Sequence, residues 1–371
     1  MAVGIIAEFN PFHYGHKYLI DKAKELYPND EIVVVLAGNI LQRGNLSIIE
    51  KYDKTKVALN NKVDLVVELP FSFSSEASDY FAEGSLKILN YLKVDKLVFG
   101  SEEGSIDKFI KVAETQINNK EYNNLVKKYL DDGENYPTSM NKALNDLIGI
   151  EIDKPNDLLA LSYIKEIIKN DYNIEPITIK RTNDYHSKDL EEIASASSIR
   201  EAIKNNKDIS KYIPKEEIDY IVRYDKYFDL LKYKIISTKE LNIYAGVDEG
   251  LDKRIKEVIN NSNNLDELVN NIKSKRYTYN RITRMLTYIL FEYTKEDSIN
   301  KEINYIRILG FNNIGKNYIN KVKKNIDIPL VSNISKDNYN LLKNDLDKDN
   351  IYYNIINKNI NLLEIKPIIK E

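Results

Sequence analysis

Val3-Gly4-Ile5-Ile6-Ala7-Glu8-Phe9-Asn10-Pro11-Phe12-His13-Tyr14-Gly15-His16-Lys17-Tyr18-Leu19 decides how this chain is read. An apolar run stops at Asn10-Pro11, and two of the three histidines in the sequence follow, separated by Tyr14 and Gly15. Apolar residues then recur at Leu19, Ile20, Ala23 and Leu26, the spacing of an amphipathic helix. The pattern predicts strand, tight turn and helix, with His13 to His16 at the helix N-terminus. A helix start presents unpaired N–H groups and the positive end of the helix dipole, which together seat a phosphate. Two imidazoles there add donors aimed at phosphoryl oxygens, and Gly15 lets a ligand approach the backbone.

Working outward, Glu31 to Ala37, Val63 to Leu69 and Lys96 to Gly100 are apolar runs of the kind that a strand buried on both faces shows. Helical patterns lie between them, at Ile49 to Asn60 and Ser75 to Leu92. A further strand is expected at Ile174 to Ile179. This alternation predicts an α/β fold, a Rossmann-like parallel sheet whose ligands bind beyond the carboxyl ends of the strands. The residues just after each strand are therefore the ones to inspect. They include Gly38 to Gly44 with Arg43, Gly100, and Ser195-Ala196-Ser197-Ser198-Ile199-Arg200. Pro155-Asn156-Asp157 reads as a helix start with Asn156 as N-cap.

His-x-Gly-His after a first strand resembles the signature of the nucleotidyltransferase superfamily, whose members bind ATP and break it between the α- and β-phosphates. The longer form, Glu8 to His16, resembles the bacterial tRNA(Met) cytidine acetate ligase family. Members of that family form acetyl-adenylate and acetylate the wobble cytidine (C34) of elongator tRNA(Met) at N4. The resemblance implies ATP contacts along Ile6, Ala7, Glu8, Phe9, Asn10, Pro11, Phe12, His13, Tyr14, Gly15, His16, Lys17, Tyr18 and Leu19. It adds Gly100, Asn156 and Arg181, and it sets Ser197 and Ser198 in the second nucleotidyltransferase motif, the turn that ends in Ile199-Arg200. His13, His16 and Arg200 are the implied catalytic residues, stabilising charge on the phosphates, with Lys17 assisting. For Asn156, capping and ATP contact both stand.

The length of 371 residues allows two or three domains. The expected division is a nucleotidyltransferase-like domain at 1–205, a helical, locally basic region at 206–300, and a small C-terminal α/β piece at 301–371. The absence of cysteine excludes a disulfide scaffold and a thiolate nucleophile. With three histidines no metal cage is expected, so Mg²⁺ would accompany ATP as its counter-ion. No apolar run reaches membrane-spanning length and no secretory leader is visible, so a cytoplasmic protein without a membrane partner is expected. The net charge of −3 sends any nucleic-acid contact to a local patch. Lys273 to Arg284 is such a patch, with Lys275, Arg276, Arg281 and Arg284 interleaved with tyrosines. It reads either as a solvated helix face or as a surface that neutralises phosphates and stacks bases.

Two other function classes are compatible with parts of the pattern. A metabolic adenylyl- or cytidylyltransferase would share the His motif but needs no extra locally basic chain. A non-catalytic RNA-binding protein would keep the basic helices and lose the histidines, which are intact here. The expected partners are therefore ATP, acetate and elongator tRNA(Met).

Overall fold

The structure is a computed structural model that describes residues 1–180, 194–214, 219–248 and 250–371. Its centre is a sheet built from the predicted strands: β1 (Ala2–Ala7), β2 (Glu31–Ala37), β3 (Leu65–Leu69), β4 (Lys96–Ser101) and β5 (Glu175–Lys180). The order is β5-β4-β1-β2-β3, all parallel, so the carboxyl ends of these strands open on one edge. Strand alternation divides the core. Val33, Val35 and Ala37 face one layer with Leu86, Leu89 and Ile164, whereas Val34 and Leu36 face another with Ile20, Val57 and Leu59.

Helices cover both faces. The first, α1 (Tyr14–Leu26), and α2 (Lys51–Asn60) lie on the second layer. A short turn, α3 (Phe71–Ser74), precedes α4 (Ser78–Tyr91) on the first. The N-cap residue of α4 is Ala77, which offers no side-chain cap, and the Ser74 hydroxyl just before it donates to the Ile40 carbonyl. After β4 the chain forms α5 (Ile106–Asn118), α6 (Lys120–Asp131) and α7 (Tyr136–Ile148). Next, α8 (Pro155–Lys169) buries Ala160, Leu161 and Ile164 between α4 and α5. After β5 comes α9 (Ala196–Lys204).

Beyond residue 205 the chain forms α10 (Tyr227–Ser237), α11 (Leu251–Val258), α12 (Leu265–Ile272), α13 (Tyr279–Leu290) and α14 (Lys295–Ile299). Leu231, Ile255, Val269 and Ile289 gather into a second core, which also takes in Ile40 and Leu46 from the loop after β2. The strand expected in the C-terminal piece, β6 (Ile306–Asn312), does not start a sheet of its own. It runs antiparallel to β3 and extends the central sheet, with β7 (Leu330–Val331) and β8 (Ile368–Lys370) on its far side. Helix α15 (Asn313–Val322) follows β6, and α16 (Tyr339–Ile355) packs into the second core.

A buried ion network joins these parts. Lys51 on α2 donates to Glu68 on β3 at 2.6 Å and to Asp349 on α16. Arg307 on β6 lies 3.4 Å from Glu68 and 3.3 Å from Asp349. Asn39, in the loop after β2, donates to Asp349 at 2.9 Å and accepts from the Lys51 N–H at 2.9 Å. The network thus reaches the loops at the sheet's open edge.

Candidate active site

Elementary helix-end chemistry organises the His13-to-His16 turn. The first N–H groups of α1 lack partners within the helix, and the two histidines supply them. His13 is the N-cap, its Nδ1 accepting from the Gly15 N–H at 3.0 Å. His16 reaches back, its Nδ1 accepting from the His13 N–H at 3.2 Å. This is a capping box written in imidazoles. Because each Nδ1 accepts, a neutral ring carries its proton on Nε2 and donates from there. The rings stack with centroids 3.8 Å apart, and Phe9 and Phe12 pack edge-on and tilted against His16. Both histidine orientations are therefore fixed before any ligand arrives.

The surrounding loops lock to this turn. The Asn10 Oδ1 accepts from the Ile48 N–H at 2.8 Å, and Arg200 Nη1 donates to the Asn10 carbonyl at 2.6 Å. Arg200 sits in the first turns of α9, whose N-cap is Ser195. The Ser195 Oγ accepts from the Ser198 N–H at 3.1 Å, and the two hydroxyls lie 2.7 Å apart. Ser198 is thereby turned inward and buried, whereas Ser197 is exposed toward the cavity. Glu8 accepts from the Gln42 N–H at 2.8 Å, which ties the loop after β2 to the end of β1. Gly44 ends that loop at φ +80°, and a Cβ there would lie 2.6 Å from the Arg284 Cα of α13. Only glycine fits such a backbone conformation at such close approach.

A cavity of about 400 Å³ opens at this edge. Of the motif residues, Ile6 to Asn10, His13, His16 and Leu19 line it, as do Gly100, Asn156, Ser197 and Arg200. The remaining motif residues stand around it. Phe12 is fully buried behind His16, and Pro11 and Gly15 shape the turn. The Tyr14 N–H donates to the Tyr212 carbonyl. Lys17 is paired with Asp21 at 2.6 Å, and Tyr18 faces outward under Lys22. Asn156 is not the N-cap of α8. That position is Lys154, because Pro155, whose fixed φ suits a first helical residue, occupies N1. The Asn156 side chain donates to Glu102 at 2.6 Å, and Asp157 accepts from the Glu102 and Glu103 N–H groups, which fixes the end of β4 beside the cavity. Arg181 and His186 lie outside the described residues.

Sequence reasoning missed several walls. Phe81, Phe99 and Tyr163 are apolar core positions by pattern, yet they also line the cavity. Asn280 comes from α13, a distance along the chain that no local motif could signal.

A larger groove of about 1370 Å³ adjoins the cavity, and Gln42, Ser78, Leu158 and Asn280 line both. Lys275, Arg276, Arg281 and Arg284 all line the groove, on the side of α13. The Arg284 guanidinium titrates below its ordinary range: burial first, then the charges of Arg281 and Arg43, outweigh nearby Tyr288 and Glu76. The tyrosines of this stretch are committed elsewhere. Tyr277 is buried with Arg281 4.6 Å from its ring centroid, and the Tyr279 hydroxyl donates to Asp266. Base stacking, one outcome of the sequence reading, does not fit the burial of Tyr277. Across the groove stand α6 and α7, which contribute Lys127, Tyr136 and Asn141. Three or more metal-binding side chains do not gather anywhere among the described residues.

The chain is similar to known proteins in both sequence and fold. The family model HIGH Nucleotidyl Transferase matches residues 1–366. A tRNA(Met) cytidine acetate ligase of Mycoplasma mobile is 43% identical over 299 residues, spanning 80% of this chain and all of that one. Its counterpart in Clostridium acetobutylicum is 38% identical over 390 residues, with 97% of each chain covered. Thermotoga maritima TmcAL, crystallised without ligand, superposes with a TM-score of 0.90 at 27% identity over 100% of this chain and 99% of that one. A second crystal form, bound with alpha-thio ATP, superposes at 0.88.

Proposed function

This chain belongs to the HIGH nucleotidyltransferase family and, within it, to the tRNA(Met) cytidine acetate ligases, and from that premise we infer how its two adjoining cavities share one reaction. The protein is an ATP-dependent acetate ligase that modifies tRNA(Met). In the first step an acetate oxygen attacks the α-phosphorus of ATP, the bond to the bridging oxygen breaks, and pyrophosphate leaves. In the second, N4 of the wobble cytidine attacks the acetyl carbon, the bond to AMP breaks, and the amine loses one proton.

The nucleophile of each step comes from a substrate, so the protein's task is positioning and charge stabilisation. We assign the phosphate-facing donors to Nε2 of His13 and His16 at the start of α1, with Arg200 and Ser197 at the start of α9. Gly100 and Asn156 would border the adenosine, and Arg181 is retained as a proposed ATP contact. Magnesium would enter with the nucleotide as its counter-ion. Lys275, Arg276, Arg281 and Arg284 would hold the anticodon phosphates while the cytidine leaves its stack to reach the adenylate. On this reading 1–205 carries adenylation, 206–300 carries the RNA contacts, and 301–371 braces both. No helix among the described residues is long and apolar enough to cross a membrane, and we place the reaction in the cytoplasm, beside the tRNA pool.

The single observation that supports the reading is the shared wall: Gln42, Ser78, Leu158 and Asn280 border both cavities. An adenylate formed in the smaller one can meet a base entering from the larger without diffusing free. The first step is tested alone by exchange of labelled pyrophosphate into ATP. Exchange that requires acetate and no tRNA supports the reading; exchange indifferent to acetate overturns it.

A further inference from the structure

Lys54 lies in the middle of α2 and exposes no surface. Its ammonium donates to three backbone carbonyls, of Glu8 at 2.9 Å, Ala37 at 2.7 Å and Gly38 at 2.6 Å. These belong to the carboxyl ends of β1 and β2, adjacent parallel strands. Past Ala7 and Ala37 the strands separate, and buried carbonyls there need another donor. The loop leaving β1 carries His13 and His16, and the loop leaving β2 carries Gln42 and Arg43. One side chain therefore fixes the spacing of both at their root.

The neighbouring Lys51 makes a useful contrast. Its two side-chain partners are carboxylates, Glu68 and Asp349, as expected of a structural ion pair. No carboxylate stands within ion-pair distance of Lys54 among the described residues, so its charge is buried without a direct counter-ion, at a large desolvation cost. A neutral amine could not donate three hydrogen bonds, because only the ammonium has three N–H groups. The charge sits directly behind Glu8, which lines the cavity assigned to the nucleotide.

We propose that Lys54 is a positioning residue of the nucleotide site: its ammonium sets the separation of the two loops and provides a buried positive charge beneath the polyphosphate. The proposal rests on the nucleotide reading of the cavity. It makes nucleotide affinity depend on the protonation of a side chain that no ligand touches.

That dependence has a sign. Burial is the first cause that pulls the Lys54 pKa down, to about 7, against the opposing pull of Glu8, Glu68 and Glu50 and with the help of Lys51. Between that value and the ordinary lysine range the unfolded chain holds more protons, so this group alone makes folding more favourable as pH rises. Nucleotide affinity moves the other way, because loss of the proton removes the third hydrogen bond and the charge. A purely structural lysine would move stability and affinity together.

The test is equilibrium binding of ATP, without acetate or tRNA, by the wild type, Lys54→Arg and Lys54→Met between about pH 6 and pH 9, beside their melting temperatures. Arginine stays charged throughout that range. The ratio of wild-type to Lys54→Arg affinity cancels the titration of the nucleotide and of the histidines. The expected results are a ratio that falls as pH rises and a Lys54→Met affinity lower than wild type by about tenfold to a hundredfold near pH 6, the scale of losing a group that supports a site from behind, with the gap narrowing toward pH 9. A flat ratio, or a folded Lys54→Met that binds as tightly as wild type at the acid end of the range, overturns the proposal. If Lys54→Met does not fold, the wild-type to Lys54→Arg ratio still decides. A wild type that binds no ATP at any pH overturns the nucleotide reading and this proposal with it.

Discussion

Replacing His16 with alanine removes a Nε2 donor from the cavity and one half of the imidazole capping box. The second loss is modest, because the His13 side chain still caps α1; lost caps typically cost about 1 kcal/mol. The first is large, since removing one preorganised donor to a developing charge typically costs about 10²–10³ in rate. His16→Ala should therefore keep its far-ultraviolet circular dichroism and lose acetate-dependent pyrophosphate exchange by that factor. Exchange near wild type would remove His16 from the chemistry. The two histidines were legible in the sequence as a pair at a helix start. Their mutual capping was not, because it depends on ring orientations that Phe9 and Phe12 impose from behind.

Among the elements, β1 to β4 and α1 could be read directly, because strands buried on both faces leave apolar runs and α1 carries an apolar stripe, whereas β5, half-buried with Pro176 and Thr178 among its isoleucines, rested on the alternation of strands and helices. Helix α2 shows what periodicity hides. Lys51-Tyr52-Asp53-Lys54 reads as the charged face of a helix, yet both lysines are fully buried, since their partners are Glu8 just past β1, Ala37 on β2, Glu68 on β3 and Asp349 on α16. The antiparallel pairing of β6 with β3 was equally hidden, because a short apolar run does not state which sheet edge it joins. The basic stretch around α13 was legible as charge but not as one wall of a groove. Lys275, Arg276 and Arg281 are exposed along that wall. Changing these three to alanine should leave pyrophosphate exchange intact and weaken tRNA binding. The slope of log affinity against log salt should flatten by about 2, at roughly 0.7 for each phosphate that the protein no longer neutralises. An unchanged slope would make the stretch a solvated helix face.

For the molecule as a whole, the Lys51–Glu68–Arg307–Asp349 network binds the catalytic sheet to the C-terminal segment. Removing one member leaves the others charged, buried and incompletely paired, which typically costs about 3–5 kcal/mol. Arg307→Met should therefore lower the free energy of unfolding by an amount of that order, measured by urea denaturation at neutral pH. A change below about 1 kcal/mol would show that the network is dispensable. Asn39 links this network to the loop bearing Gln42 and Arg43, and Gly44 ends that loop against Arg284. The sheet, the network and α13 thus converge on the boundary between the two cavities. The central claim is that an adenylate made in one cavity is consumed by RNA in the other. It is tested most directly by incubating the protein with labelled acetate, ATP and elongator tRNA(Met), then digesting the RNA to nucleosides. The account predicts label in N4-acetylcytidine, with one AMP formed per acetyl group transferred. Label that remains in acetyl-adenylate or free acetate, with the cytidine unmodified, would contradict it.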